Sequence, residues 1–395
     1  MKVILIGAGC GRQTLTEEAI AAIGQADLIA GASRLLEDLP PYHGILTAEY
    51  RPEPLLDLIC ASRDKSICIL LSGDTGFYSG AAGLLERLSE QGIPAAVIPG
   101  VSCLPYFASR LGRPWQDWKL CSAHGVDSDP VRAVMDGVPA FFLTSGRTAP
   151  GEICSTLTEA GLGALPVTVG ENLGTNAERI ISETAQTLSG RLFAPLNVLL
   201  IEAAPRYAPG VPGIPDEEFL RDKTPMTKQE VRAAALAKLR VSRSDICWDI
   251  GAGTGSVSVE LALQAKSVWA VERKPDALAL AQRNRERFCA WNLHLQEGTA
   301  PEALAPFPIP DAVFVGGSGG RLAEILEAVH TANPQARICV SAIALETLHE
   351  AMKALAHLGY ETEVTQISVS RSRSVGELHL LMAQNPVFLI TGVRA

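Results

Sequence analysis

Seven residues, Asp249-Ile250-Gly251-Ala252-Gly253-Thr254-Gly255, carry the clearest chemical signal in the chain. The apolar run Ile246-Cys247-Trp248 before them reads as a buried strand. The segment Ser256 to Leu263 after them places apolar residues at helical spacing. The glycines therefore occupy a strand-to-helix turn, where a nucleotide-type ligand can approach bare backbone N–H groups. A second strand, Ser267 to Glu272, ends on a carboxylate. Glu272 follows Gly251 by about 20 residues, the place of an acid that hydrogen-bonds a ribose.

Two ligands fit such a unit. A dinucleotide asks for Gly-x-Gly-x-x-Gly, and Ser256 stands where the last glycine would be. The pattern here is Asp-x-Gly-x-Gly-x-Gly. Asp249 puts negative charge beside the loop, which a pyrophosphate disfavours and a cation tolerates. S-adenosylmethionine has a sulfonium, an ammonium and a ribose but no phosphate, so the residues favour it over NAD. A turn that binds nothing is the bland alternative, and three glycines followed by a ribose-type acid weaken it. Gly7-Ala8-Gly9-Cys10-Gly11 also follows a strand, but Arg12-Gln13 replace the last glycine and no acid ends a second strand at the right distance.

The elements that must position these residues fall into an α/β pattern. Lys2 to Ile6, Ser66 to Leu71 and Ala95 to Ile98 read as strands, and Leu15 to Ile23 as a helix capped by Thr14 or Thr16. Strands alternating with helices predict a largely parallel sheet with ligands at the carboxyl ends of its strands. The loops Gly73-Asp74-Thr75-Gly76 and Pro99-Gly100-Val101-Ser102-Cys103 lie at such ends. A second lobe, about 113–204, carries strands at Ala140 to Thr144, Leu165 to Asn172 and Leu196 to Glu202. Arg113-Pro114-Trp115 links it to the first lobe, about 1–112. Prolines and glycines crowd 205–215, which reads as the linker between a domain at 1–204 and another at 216–395. In the latter, Thr227 is expected to cap a helix, with Glu230 completing a capping box. Strands follow at Leu293 to Gln296, Ala312 to Val315 and Arg337 to Val340. Two late strands, near Thr362 to Ser368 and Glu377 to Ala383, are expected to pair as an antiparallel edge.

Composition narrows the function classes. With 395 residues, 47% of them hydrophobic and 19% charged, the chain can bury substantial cores. A net charge of -9 argues against broad nucleic-acid binding. No apolar run approaches the ~20 residues of a membrane span, and the N-terminus reads as a strand rather than a signal peptide. Nine scattered cysteines without a Cys-x-x-Cys pair suggest reduced thiols and a cytoplasmic location. No histidine pair has metal-ligand spacing, so no metal is expected.

These loops together carry a resemblance. Gly7 to Gly11, Gly73 to Ser79, Pro99 to Ser102, Leu111 to Trp115, Ser122-Ala123-His124-Gly125 and Glu171-Asn172-Leu173-Gly174 resemble the tetrapyrrole methylases. Pro225-Met226-Thr227-Lys228, the Asp249 to Gly255 loop, Ala300-Pro301-Glu302, Val315 to Gly320 and Asn385-Pro386-Val387 resemble the decarboxylating precorrin methyltransferases. The resemblance implies a two-lobed tetrapyrrole methylase fold followed by a Rossmann-like class I methyltransferase fold. It implies methylation of a precorrin at C5 by the first domain and at C15 by the second, with loss of the C12 acetate carboxyl, giving precorrin-8X in cobalamin biosynthesis. The same reactions on a cobalt-containing precorrin stay open. So do an NAD(P)-dependent dehydrogenase and a non-enzymatic cofactor sensor. Relatives of both halves imply a homo-oligomer.

The resemblance also assigns residues. In the second half Gly251, Ala252, Gly253, Thr254 and Gly255, with Asp249 beside them, would hold the methionine end of S-adenosylmethionine. Glu272 would take the ribose, Ala300 would flank the adenine and Thr227 would close over the site. The loop Gly316-Gly317-Ser318-Gly319-Gly320 suggests close approach of a large flat substrate. In the first half Gly73, Asp74, Ser102, Cys103, Thr144, Thr168 and Asn197 match positions near a folded cofactor between the lobes, with the Gly7 loop facing the substrate. Cys103 also reads as a small packing residue. A precorrin carries many carboxylates, so local cations are required. Arg371 and Arg373 are the candidates beside the second site, with Arg321 after the glycine loop. His379 and His124 are candidate proton donors, each with a structural reading alongside. The family's usual Asp-Pro-Gly is Asp-Thr-Gly here, and Ser341 opens a stretch that usually begins with Asn.

Overall fold

The computed structural model describes residues 2–122, 129–144, 148–207 and 212–394. It divides into two compact units, Met1–Ala204 and Pro205–Ala395. Among the described residues no helix is long and apolar enough to cross a membrane.

The first unit holds two sheets. Strands β1 (Lys2–Gly7), β2 (Leu28–Gly31), β3 (Ile45–Ala48), β4 (Ser66–Leu71) and β5 (Ala95–Ile98) form an all-parallel sheet in the order β3-β2-β4-β1-β5. β1 and β4 are covered on both faces, which is why each reads as an unbroken apolar run. Thr16 caps the helix Glu17–Gln25 by accepting from the Ala19 N–H. The second sheet comprises β6 (Lys119–Ser122), β7 (Ala140–Leu143), β8 (Pro166–Glu171), β9 (Arg179–Thr184) and β10 (Asn197–Ile201) in the order β6-β7-β10-β8-β9. Only β6 and β7 run parallel in it. The helix Cys103–Leu111 joins the lobes: its buried Leu104 and Phe107 pack with Trp118, Phe141, Val198 and Leu200.

The second unit is a seven-stranded sheet. Its strands are β11 (Ile246–Ile250), β12 (Ser267–Glu272), β13 (Leu293–Glu297), β14 (Ala312–Val315), β15 (Arg337–Ala342), β16 (Glu361–Ile367) and, after a separate hairpin of β17 (Ser370–Val375) and β18 (Leu378–Ala383), β19 (Val387–Val393). The order is β13-β12-β11-β14-β15-β19-β16. β11 to β15 are parallel, and β19 runs antiparallel to both neighbours. The chain builds outward from β11 on one side and then from β14 on the other. The crevice between these two strands is therefore the topological switch point, where ligands of open α/β sheets bind.

Three expectations need correction. The late strands do not pair with each other: β16 pairs with β19, and Glu377 to Ala383 belongs to the hairpin. Gly376, at φ 61, turns that hairpin in two residues, which fixes the pairing locally. Thr227 does not cap a helix. The helix Gln229–Leu239 has Lys228 at its N-cap with no side-chain cap, and the Gln229 N–H is satisfied by Asp216 Oδ1 at 2.9 Å. Glu230 turns to Arg371 instead of closing a capping box. Finally, the stretch expected to be a linker is fastened to the second unit where it is described. Trp291 Nε1 donates to Pro205 O at 3.1 Å, Tyr207 packs edge-on against Phe288, and Glu260 accepts from Gly213 N and Ile214 N. Residues 208–211 lie outside the described part.

Candidate active site

A cavity of about 820 Å³ opens at the switch point of the second unit. Its floor is the Gly251 to Thr254 loop after β11, with Glu272 at the end of β12 and Gly316 to Gly319 after β14. Thr227, Ala300, Ser318 and Ser341 also line it. The two glycine loops touch through backbone. A Cβ on Gly251, whose φ is +79, would lie 2.6 Å from Gly317 O and 2.8 Å from Gly317 N. Only glycine permits both this approach and this conformation.

The hydrogen bonds of the loop decide what it can hold. Gly251 N and Ala252 N both donate to Val271 O, at 3.0 and 3.1 Å. Gly253 N donates to Glu272 Oε2 at 2.9 Å, and Gly255 N to Ala252 O at 2.8 Å. The bare N–H groups expected from the sequence are therefore already used inside the protein. What remains is acidic. Glu272, 8% exposed, is held by Gly253 N and by Lys274 N at 2.9 Å. Asp249 is 1% exposed; Ser258 donates to its Oδ2, and its Oδ1 has no hydrogen-bond partner. Burial pushes its carboxyl up to about 7 against the Ser258 hydrogen bond, and the Glu272 charge adds to the rise. Thr254 Oγ1 is likewise buried and unpartnered. Such a floor suits a cationic group and opposes a pyrophosphate.

The structure separates the predicted basic residues from this cavity. Arg371, Arg373 and His379 sit on the β17–β18 hairpin, which does not line it. Arg371 is committed to protein carboxylates: its Nε and Nη2 donate to Glu230 at 3.0 and 2.7 Å, and Nη1 lies 3.2 Å from Asp216. Their assignment as catalytic residues at this cavity is therefore corrected. Arg321 lines the cavity but is clamped by Glu302 through two 2.7 Å hydrogen bonds and by Glu324.

Sequence reasoning missed a buried charge cluster beside the site. Arg232, Glu260 and Asp216 are almost wholly buried. Arg232 Nε donates to Glu260 Oε1 and Nη1 to Asp216 Oδ1, both at 2.8 Å, and its other N–H groups reach Thr227 O and Ile214 O. Thr227 is thus placed at the cavity wall by its carbonyl, not by a cap. The available signal was Glu260 itself, a charge inside an otherwise apolar helical run.

In the first unit the loops after β1, β4 and β5 converge. A Cβ on Gly7 would lie 2.6 Å from Gly100 N and 2.7 Å from Gly73 O. Asp74 ties the loops by accepting from Gly76 N at 2.8 Å and Gly100 N at 3.2 Å. Ser102 caps the helix that carries Cys103 and lies against Gly73. Burial pushes the Cys103 thiol up to about 11, which keeps it protonated and a poor nucleophile. Thr144, 5% exposed, donates to Asn197 O at 2.9 Å, so these two meet. Thr168 does not join them: it pairs with Leu200, three residues along β10, and its hydroxyl meets Ser182. His124 lies outside the described residues.

Comparison with known proteins adds a second line. A tetrapyrrole (corrin/porphyrin) methylase model matches residues 2–189, and a precorrin methyltransferase domain model matches residues 217–394. The precorrin-6Y C(5,15)-methyltransferase [decarboxylating] of Sinorhizobium sp is 32% identical over 374 residues, 92% of this chain and 89% of that protein. The cobalt-precorrin-6B C(15)-methyltransferase (decarboxylating) of Salmonella typhimurium is 43% identical over 44% of this chain and 93% of its own. A crystal structure of a Geobacter metallireducens protein described as precorrin-6y C5,15-methyltransferase is 40% identical, covering 46% of this chain and 97% of that one with a TM-score of 0.45.

Proposed function

The chain belongs to the precorrin-6Y C5,15-methyltransferase (decarboxylating) family, and from that premise we propose how its two units divide the reaction. The enzyme is a bifunctional decarboxylating C-methyltransferase of cobalamin biosynthesis. The first unit methylates C5. The second methylates C15 and releases the C12 acetate carboxyl as carbon dioxide, giving precorrin-8X.

The methyl donor is S-adenosylmethionine, and the second unit's loop supports that choice. Its N–H groups at Gly251, Ala252, Gly253 and Gly255 are satisfied internally, Glu272 lines the cavity beside them, and Asp249 is buried two residues before the loop. Asp249 and the loop favour the cationic methionine end. Glu272 retains acceptor capacity for ribose hydroxyls, and Ala300 offers a small apolar wall to the adenine. When bound, this cofactor supplies an electrophilic methyl on sulfonium. An electron-rich bridging carbon of the reduced macrocycle would take that methyl directly, with S-adenosylhomocysteine as the leaving group and a proton lost from the ring, so the protein needs no nucleophile of its own. Its work is alignment and exclusion of water. Ser318, among the glycines of the second loop, faces the space left for the ring. The electron pair freed by decarboxylation would be delocalised into the conjugated ring, and a proton would then replace the lost carboxyl, leaving a methyl group at C12.

In the first unit, Gly73, Asp74, Ser102 and Cys103 with Thr144 and Asn197 form the second cofactor site. The chain acts as a homo-oligomer; its hairpin, with Leu378, Leu380, Leu381 and Met382 exposed, supports self-association. The testing experiment feeds purified enzyme precorrin-6Y and S-adenosylmethionine, following product mass and labelled carbon dioxide. Two methyls gained and one carboxyl lost is the expected result. An unchanged precorrin with tight NADH binding would replace this reading with the dehydrogenase.

A further inference from the structure

The proposed substrate is a polycarboxylate, yet the arginines first chosen to receive it are neutralised by the protein's own acids. Four basic side chains line the cavity: Lys228, Arg273, Lys274 and Arg321. Arg321 is clamped by Glu302 and Glu324, as described. Arg273 is different. It is exposed, and its guanidinium makes no hydrogen bond or ion pair with a described residue. It nevertheless has a defined seat. Nη1 lies 3.1 Å, and Cζ 3.8 Å, from the point where a Cβ on Gly319 would stand. The guanidinium therefore rests against the second glycine loop at a residue with φ +60 and no side chain. That seat is on the same loop whose Gly317 touches Gly251.

We infer that Arg273 is the residue that binds a ring carboxylate of the substrate, holding the macrocycle against the Gly316 to Gly320 loop. The inference rests on the proposed function and adds the receptor that it lacks. Three features carry it. The charge is unspent, unlike that of Arg321 or Arg371. The fork is planar and backed by bare backbone, so it loses less freedom on binding a carboxylate than a lysine does. Its position is on the cavity lining, where it adds a positive charge beside the glycine loop that the ring would lie against. A side chain at 319 would crowd the guanidinium, whose Nη1 would stand 3.1 Å from its Cβ.

The test uses the full chain and three variants, Arg273→Ala, Arg273→Lys and Arg321→Ala. Release of labelled carbon dioxide from precorrin-6Y gives KM and kcat, and calorimetry gives the affinity for S-adenosylhomocysteine. Loss of a charge-assisted contact should raise KM about ten- to hundredfold in Arg273→Ala. Its kcat and its affinity for S-adenosylhomocysteine should stay at wild-type values, which also shows that the variant is folded. Arg273→Lys should recover part of the loss, and Arg321→Ala should raise KM less than Arg273→Ala. An unchanged KM in Arg273→Ala overturns the inference. So does a fall in cofactor affinity that matches the rise in KM, because Arg273 would then serve the cofactor. A wild-type enzyme that leaves precorrin-6Y unchanged overturns the proposed function itself, and is told apart from the other outcomes by the wild-type trace alone.

Discussion

Replacing Asp249 by asparagine tests the electrostatics of the cofactor floor. The carboxyl is 1% exposed and has its pKa pushed up to about 7 by burial, against an ordinary value of 3.8. At about 1.4 kcal/mol per pH unit, that displacement sets an upper bound of about 4 kcal/mol on the cost of ionising it inside the fold. The sign follows from proton counting. Between about pH 4 and pH 7 the unfolded chain has given up this proton while the folded chain keeps it. The contribution to stability is therefore complete below about pH 4 and is lost as pH rises through about 7. Asparagine has no proton to lose and can still accept from Ser258 Oγ. Chemical denaturation of wild type and Asp249→Asn from about pH 5 to about pH 8 should show the variant gaining on the wild type up to about pH 7 and holding that lead above it. A bound cation should favour the ionised carboxylate, so wild-type affinity for S-adenosylmethionine should rise through the same window while that of the variant stays flat. Unfolding midpoints that run parallel across the window would refute the reasoning, because the carboxyl would then be ionised in the folded state throughout.

Glu272→Ala should weaken S-adenosylhomocysteine binding about ten- to hundredfold by calorimetry, and normal affinity in a folded variant would remove the ribose assignment. Arg232→Met should destabilise the second unit by about 3–5 kcal/mol in urea denaturation, because Glu260 would remain buried without its cation, while Asp216 keeps only the cation of Arg371. A fragment of residues 205–395 should release carbon dioxide and add one methyl, at C15; one that also methylates C5 would show that the first unit is not the C5 enzyme. Starting the fragment near residue 213 instead should lower its thermal stability, since Pro205 and Tyr207 would no longer cover Trp291 and Phe288. Leu381→Glu, which charges the exposed hairpin, should reduce the mass measured by light scattering if copies associate through it.

What the sequence made legible was what depends on local pattern. The strands Ser66–Leu71 and Ser267–Glu272 have the bounds their apolar runs suggested, because parallel strands covered on both faces leave no polar alternation to blur them. The approach of Glu272 to the glycine loop was readable because a βαβ unit fixes the distance between successive strand ends. Strand β19 escaped notice because its partners, β15 and β16, lie far back in the chain, and no local signal announces a non-local pairing. Charge pairing escaped for the same reason. Arg371 looked available because Glu230, its partner, is 141 residues away in sequence. Thr227 looked like a cap because the threonine and Glu230 have capping-box spacing. The backbone enters the helix one residue later, and Asp216 satisfies the N–H instead.

The hydrogen-bond pattern of the Gly251 loop bears on more than this one site. Glycines after a first β-strand are commonly read as a cradle of donors for phosphate. Here the glycines serve approach of backbone to backbone. Gly251 lets the Gly317 loop come within contact, and that approach positions the surface on which Arg273 rests. The donors that a phosphate would need are used to bind the loop to Val271 and Glu272. One set of glycines thus fixes both halves of the site's charge pattern. It leaves Glu272 lining the cavity and a guanidinium resting on the Gly319 backbone. A cationic ligand for the acid and an anionic partner for the guanidinium satisfy both at once. A dinucleotide, anionic where the floor is already acidic, satisfies neither.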